Sequence, residues 1–91
     1  VNNGLTISYS LLQKFPLHIK KLLEDNFENL MEFTLTNCDL RTFENFPYLK
    51  SLKNLNVSKN SLRGSFEFLV KNRGIKYIDA SHNIIADMKK F

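Results

Sequence analysis

Ser81 and His82 stand side by side, a hydroxyl next to an imidazole, and Cys38 is the chain's single thiol. A nucleophile of either kind needs a base held within hydrogen-bond reach and aimed at it. Neighbouring residues of an extended or turning chain point in different directions. Here the apolar frame puts Ser81 on the outer side of a strand and His82 on the turn after it. The pair is therefore badly set for acyl transfer. His18 falls in a helical pattern, no Cys/His spacing suits zinc, and no glycine-rich phosphate loop is present. The expectation is a non-enzyme with no cofactor and no metal.

The residues with a regular place in the pattern are amides. In "LKNLNVSKNSL" (52–62) Asn60 follows Leu52, Leu55 and Val57 and precedes Leu62. "IKYIDASHNII" repeats this with Ile75, Ile78, Ala80, Asn83 and Ile85, and "LMEFTLTNCDL" with Leu30, Phe33, Leu35, Cys38 and Leu40. The copies begin 22 and 23 residues apart. A period of about 20–29 with L-x-x-L-x-L-x-x-N/C-x-L is the leucine-rich repeat signature. A weaker copy near the start offers Leu5, Ile7, Ser10 and Leu12, with Asn2 in the first apolar slot. An irregular first copy suits a terminal repeat.

Each copy predicts a short strand with apolar side chains inward on a period of two. One such strand buries nothing alone, so copies must stack about 4.8 Å apart to complete sheet and core together. Behind each strand the chain turns sharply, leaving buried N–H and C=O groups that need partners. An inward asparagine amide supplies both donors and an acceptor. Asn60 and Asn83 are the expected rungs of this ladder, with Cys38 and Ser10 as substitutes. Cys38 reads as a buried structural residue.

The returns should cover the other side of the strands. "FPLHIKKLLEDNFENLMEF" predicts an amphipathic helix with Ile19, Leu22, Leu23, Phe27 and Leu30 on one stripe and Pro16 in its first turn. Apolar residues at 40, 43, 46, 49 and 52 keep a step of three that suits a 3₁₀-like or helical return. In "RGSFEFLVKNRG", Phe66, Leu69 and Val70 are expected inward. The fold class is α/β: a leucine-rich repeat solenoid with short parallel strands on the concave face and helices and 3₁₀ turns on the convex one. The expected domain covers 1–91 as about four repeats, 2–29, 30–51, 52–74 and 75–91. The first residue is valine and the chain stops at "ADMKKF", so the expectation is a piece of a longer protein.

Side chains between the inward leucines must look out over the concave face. They are Thr6 and Ser8, then Glu32, Thr34 and Thr36, then Asn54, Asn56 and Ser58, then Tyr77, Asp79 and Ser81. Those from Glu32 to Ser81 are the candidate protein-binding residues: polar, carrying little charge, with one aromatic. Four strands at 4.8 Å and five residues at 3.3 Å give only a few hundred Å², less than the roughly 800 Å² per partner of a standard interface.

The bulk numbers set limits. The chain has 91 residues, 43% hydrophobic, which suits a folded domain. No run of about 18 apolar residues is present to span a bilayer. One cysteine makes no internal disulfide and favours a reducing compartment. The "NVS" triplet at 56–58 matches a glycosylation acceptor but falls in a predicted strand. A net charge of +4 and pI near 9.3 invite an anionic partner. The cations are scattered and no aromatics interleave with them, so direct nucleic-acid binding is not expected; nor is a membrane partner.

Residues 46–69, "FPYLKSLKNLNVSKNSLRGSFEFL", carry more than the generic repeat. Pro47, Leu49, Leu52, Leu55, Ser58, Asn60, Gly64, Glu67 and Leu69 resemble the acidic leucine-rich nuclear phosphoprotein 32 family, whose pattern has a proline-marked approach, a strand ending Ser-x-Asn, then Gly-Gly-Leu-Glu-x-Leu. Ser65 stands where that pattern has its second glycine. The resemblance extends over about 27–85. It implies a curved solenoid found in nucleus and cytoplasm that binds proteins: phosphatase 2A, which members inhibit, and histones. A spliceosomal A-prime-like scaffold in a ribonucleoprotein is the alternative resemblance, implying the same architecture holding an RNA-binding partner.

Overall fold

Every second side chain of a strand points the same way, and the apolar alternation of the four copies produces four strands. The computed structural model describes residues 3–84. The strands are β1 (Gly4–Ser8), β2 (Glu32–Thr36), β3 (Asn54–Asn56) and β4 (Tyr77–Asp79). They form one sheet in chain order, β1-β2-β3-β4, with every pair parallel. Register aligns Leu5 with Phe33, Phe33 with Leu55 and Leu55 with Ile78, so one apolar row crosses the sheet. Asn2 and Ile85, slots of the sequence pattern, lie outside the described residues, as does the "ADMKKF" end.

The core is built on one face of this sheet. Phe33, Leu35, Leu55 and Val57 from the strands and their ends meet Phe15, Leu40, Phe43, Leu49, Leu52 and Leu62 from the returns, all fully buried. Phe15 meets Phe46 of the next return edge to face at 5.4 Å between ring centroids, and Phe43 meets Phe46 within that return at 5.8 Å. Phe43 and Phe66 are 5.3 Å apart. Such contacts add about 0.5–1.5 kcal/mol each beyond area burial.

Parallel sheets are ordinarily covered on both faces. Here, among the described residues, the second face is open: Glu32 is exposed and Thr34, Thr36, Asn54 and Asn56 are half-buried. The architecture is a small α/β molecule with a four-stranded parallel sheet, compatible with a leucine-rich repeat arrangement.

Three expectations for the returns are corrected. The helix α1 (Leu17–Asn26) is shorter than the stripe predicts. Pro16 caps it from outside rather than forming its first turn, and the Asn26 side chain donates to the Leu22 carbonyl, closing the last turn. Leu22 lies within the helix and is 54% exposed, while Phe27 is the cap residue and Leu30 is buried beyond the helix. Second, residues 40–52 form no helix. Leu40, Phe43, Phe46, Leu49 and Leu52 are all buried, but through isolated i+3 turns, with Phe46 N donating to Phe43 O and Leu52 N to Leu49 O. Third, Val70 is 69% exposed. It follows a 3₁₀ helix, Phe66–Leu69, whose three residues per turn bring Phe66, Leu69 and Asn72 inward instead.

Candidate functional site

The open face is organised in rows by the register. One row holds Gly4, Glu32, Asn54 and Tyr77; the next holds Thr6, Thr34, Asn56 and Asp79. Tyr77 is 71% exposed, and Glu32, Asp79 and Ser81 are exposed as well. Asn54 Nδ2 reaches Glu32 Oε1 across two strands at 3.5 Å. The floor is thus hydroxyls and amides, with Tyr77 as its large apolar surface.

Two strands end in the same way. Asn56 Oδ1 accepts from Ser58 N at 3.0 Å, and Asp79 Oδ1 accepts from Ser81 N at 3.0 Å and Ser81 Oγ at 2.7 Å. The Ser81 hydroxyl and N–H hold the Asp79 carboxyl below its ordinary range, with the nearby His82 charge assisting against partial desolvation. The Ser81 proton is directed to Asp79 and not to His82. Ser58 corrects the sequence reading: it is 8% exposed and adds little to the face. The chain has begun its turn there, with Ser58 N held by Asn56 and Ser58 O by Asn60. The "NVS" triplet is folded into this turn.

Behind the strands the asparagine amides do the work their spacing predicts. Asn60 Nδ2 donates to Leu35 O (2.7 Å), Val57 O (2.9 Å) and Ser58 O (3.1 Å), and Oδ1 accepts from Cys38 N (2.9 Å) and Leu40 N (3.2 Å). Asn83 repeats the set one strand on, donating to Val57 O, Ala80 O and Ser81 O and accepting from Leu62 N. Cys38 makes a thinner version: its Sγ approaches Ile7 O at 3.5 Å and Thr36 O at 3.3 Å. A thiol is a weak donor and a weaker acceptor. The Cys38 backbone carbonyl accordingly takes Leu12 N, which has no amide oxygen to meet. Ser10 holds the corresponding place after β1 and is exposed, so the ladder fades at that end.

The turns share a backbone device too. Tyr9, Asn37, Lys59 and His82 each lie two residues past the last inward strand residue, and each is left-handed, with φ of 57°, 56°, 58° and 55°. Of these, Asn37 and His82 are types enriched in this region.

Three residues outside the expected set tie the returns together. Asn72 is buried; its Oδ1 accepts from Leu49 N at 2.7 Å and its Nδ2 donates to Pro47 O at 3.2 Å. The signal was in the period, for Asn72 lies 23 residues after Leu49 and fills the same slot, three before the next copy's first apolar residue. Asn45 Nδ2 donates to Phe15 O at 3.3 Å. Glu24 on α1 accepts from Tyr48 N (2.7 Å) and from Lys20 Nζ (2.8 Å). Beside Glu24 lies a hollow of about 350 Å³ lined in part by Phe46, Tyr48, Phe68 and Lys71. Among the described residues no helix is long and apolar enough to cross a membrane, and no three His, Cys, Asp or Glu side chains are grouped to hold a metal ion.

No protein-family model matches the chain. Over 67 residues it is 31% identical to the acidic leucine-rich nuclear phosphoprotein 32 family member A of Drosophila melanogaster, and to the protein of the same description from Drosophila pseudoobscura pseudoobscura. The match takes in 74% of this chain and 26% of each relative. The chain therefore spans about a quarter of the length of the curated relatives it matches. The likeness is a distant relationship to leucine-rich nuclear phosphoproteins, and a protein-interaction role is the function it suggests.

Proposed function

We propose that the chain is a non-catalytic docking module, a short solenoid of four leucine-rich repeats that binds another protein on the open, concave face of its sheet. One observation carries this reading. A parallel sheet, ordinarily covered on both sides, here leaves a whole face of hydroxyl, amide and aromatic side chains free while the other face holds the core. The non-catalytic part is supported by the Ser81 hydroxyl being engaged by a carboxylate. A nuclear setting is supported by the description of the relatives; phosphatase 2A and histones, and the cytoplasm as a second compartment, enter through the family resemblance.

Purified phosphatase 2A and core histones are the partners to test. With either, the Thr34→Arg/Asn56→Arg variant should lose binding, because both positions share one row of the face. Phe68→Arg, on the covered side, should bind as the parent does. Equal binding by all three proteins would remove the open face as the docking surface.

A further inference from the structure

The open face is bordered by cations ahead of β3 and β4 and behind β3. Lys53 and Lys76 immediately precede the two strands and are neighbours in the ladder, with Lys76 N donating to Lys53 O at 2.8 Å. Arg73 lies in the same approach, where a side chain at Gly74 would come within 3.4 Å of Lys53 Nζ. Lys59 and His82 follow the strands on the left-handed turns and are exposed. Among the described residues, none of Lys53, Arg73, Lys76 and Lys59 is in an ion pair; the pairs formed are Lys20–Glu24, Arg41–Asp39 and Lys50–Glu28. The acids of the face itself, Glu32 and Asp79, carry hydrogen bonds from Asn54 and Ser81.

We infer that the partner of this face is an acidic protein segment, lying extended along β3–β4 with carboxylates at its two ends. This rests on the docking reading above and adds the partner's charge. Lys53 and Lys59 flank β3 at its two ends, so the matching acids stand at the two ends of an extended segment that spans the strand. A nucleic acid fits less well. Its phosphates are continuous, whereas the floor between the two rims holds amides and the Asp79 carboxylate, with one exposed aromatic, too few for successive base stacking. A basic segment such as a histone tail meets like charge at both rims, so this inference selects against histones among the partners named above.

The probe is a fluorescein-labelled ten-residue peptide with Glu pairs at both ends and a Thr/Ser/Tyr centre, beside its Gln-for-Glu counterpart and an oligouridylate of equal charge. The Glu peptide should bind, weaken with added salt, and lose about tenfold in affinity with Lys53→Glu/Lys76→Glu. Lys53→Gln/Lys76→Gln should lose part of that, which guards against a folding defect in the reversal. Lys14→Glu/Lys21→Glu, with the same change in net charge, should lose less than about twofold. Equal loss in both reversals, equal binding of the Gln peptide, no binding of the Glu peptide, or tighter binding of oligouridylate through the same lysines would overturn the inference. If the Glu peptide fails while Thr34→Arg/Asn56→Arg still abolishes protein binding, the face survives as the docking site and only its charge preference falls.

Discussion

Asn60 shows how much one side chain can hold. Its amide satisfies three carbonyls and two N–H groups drawn from two adjacent copies of the repeat, in a turn sealed by Leu35, Leu40 and Leu62. Leaving a buried polar group without a partner costs about 1–3 kcal/mol, and water reaching the loosened turn recovers part of the sum. Asn60→Ala should therefore cost about 3 kcal/mol or more, read as a drop in urea midpoint with unchanged slope. Asn83→Ala should cost about half of that, since Asn83 serves fewer groups at a more exposed end. The spacing behind each strand made both residues legible in the sequence. Asn72 was not, because it stands in an apolar slot within "FLVKNRG", and helical spacing there selected Val70, which the 3₁₀ geometry turns outward. Ser10 shows the reverse: the slot is right, yet among the described residues no strand precedes β1 for a rung to bridge to.

Strands, being set by a period of two and repeated three times over, were readable to within a residue or so; the returns were not. A step of three at 40–52 identified every buried residue and still misjudged the backbone, because inward placement needs only a turn at each step. The helix α1 ended early since its amphipathic stripe ran into Asn26, whose side chain takes a helix carbonyl. What fastens that helix to the next return is also invisible to periodicity: Glu24 receives Tyr48 N and Lys20 Nζ. Partial burial pulls the Glu24 carboxyl up, but the Lys20 and Tyr48 hydrogen bonds and the charges of Lys20 and Lys71 together bring it below its ordinary 4.5. A carboxyl lowered in the folded state stabilises fully above its unfolded value and loses that contribution as pH falls through the folded one. The protein should thus lose stability on acidification below 4.5. Glu24→Gln should flatten that part of the profile and start from a lower stability at neutral pH. Parallel urea melts from pH 7 to pH 3 check it, and identical slopes for the two proteins would exclude Glu24 as a contributor.

For the molecule as a whole, a sheet laid down in chain order means that, among the described residues, each strand pairs only with its immediate neighbours in sequence. Stability in such arrays is close to a sum of unit and nearest-neighbour terms, so equivalent positions differ by where they stand. Leu55 and Ile78 are partners in the ladder and occupy the same place in their copies, yet Leu55 is 1% exposed and Ile78 is 43% exposed. Truncating Leu55 removes contacts to strands on both sides and opens a cavity the sealed core cannot collapse; the expected cost is about 3 kcal/mol. Truncating Ile78 gives up half the neighbours and leaves no enclosed void, for about 1 kcal/mol. Hydrogen exchange should follow the same gradient, with the amides of β2 and β3 protected close to the global limit and those of β4 exchanging through smaller openings. A partner seated along β3–β4 would add support to β4, and so raise protection at Tyr77–Asp79 more than at β2. Uniform protection along the sheet, or equal costs for Leu55→Ala and Ile78→Ala, would mean that the four strands open as one unit and that the end strand is not the one a ligand reinforces.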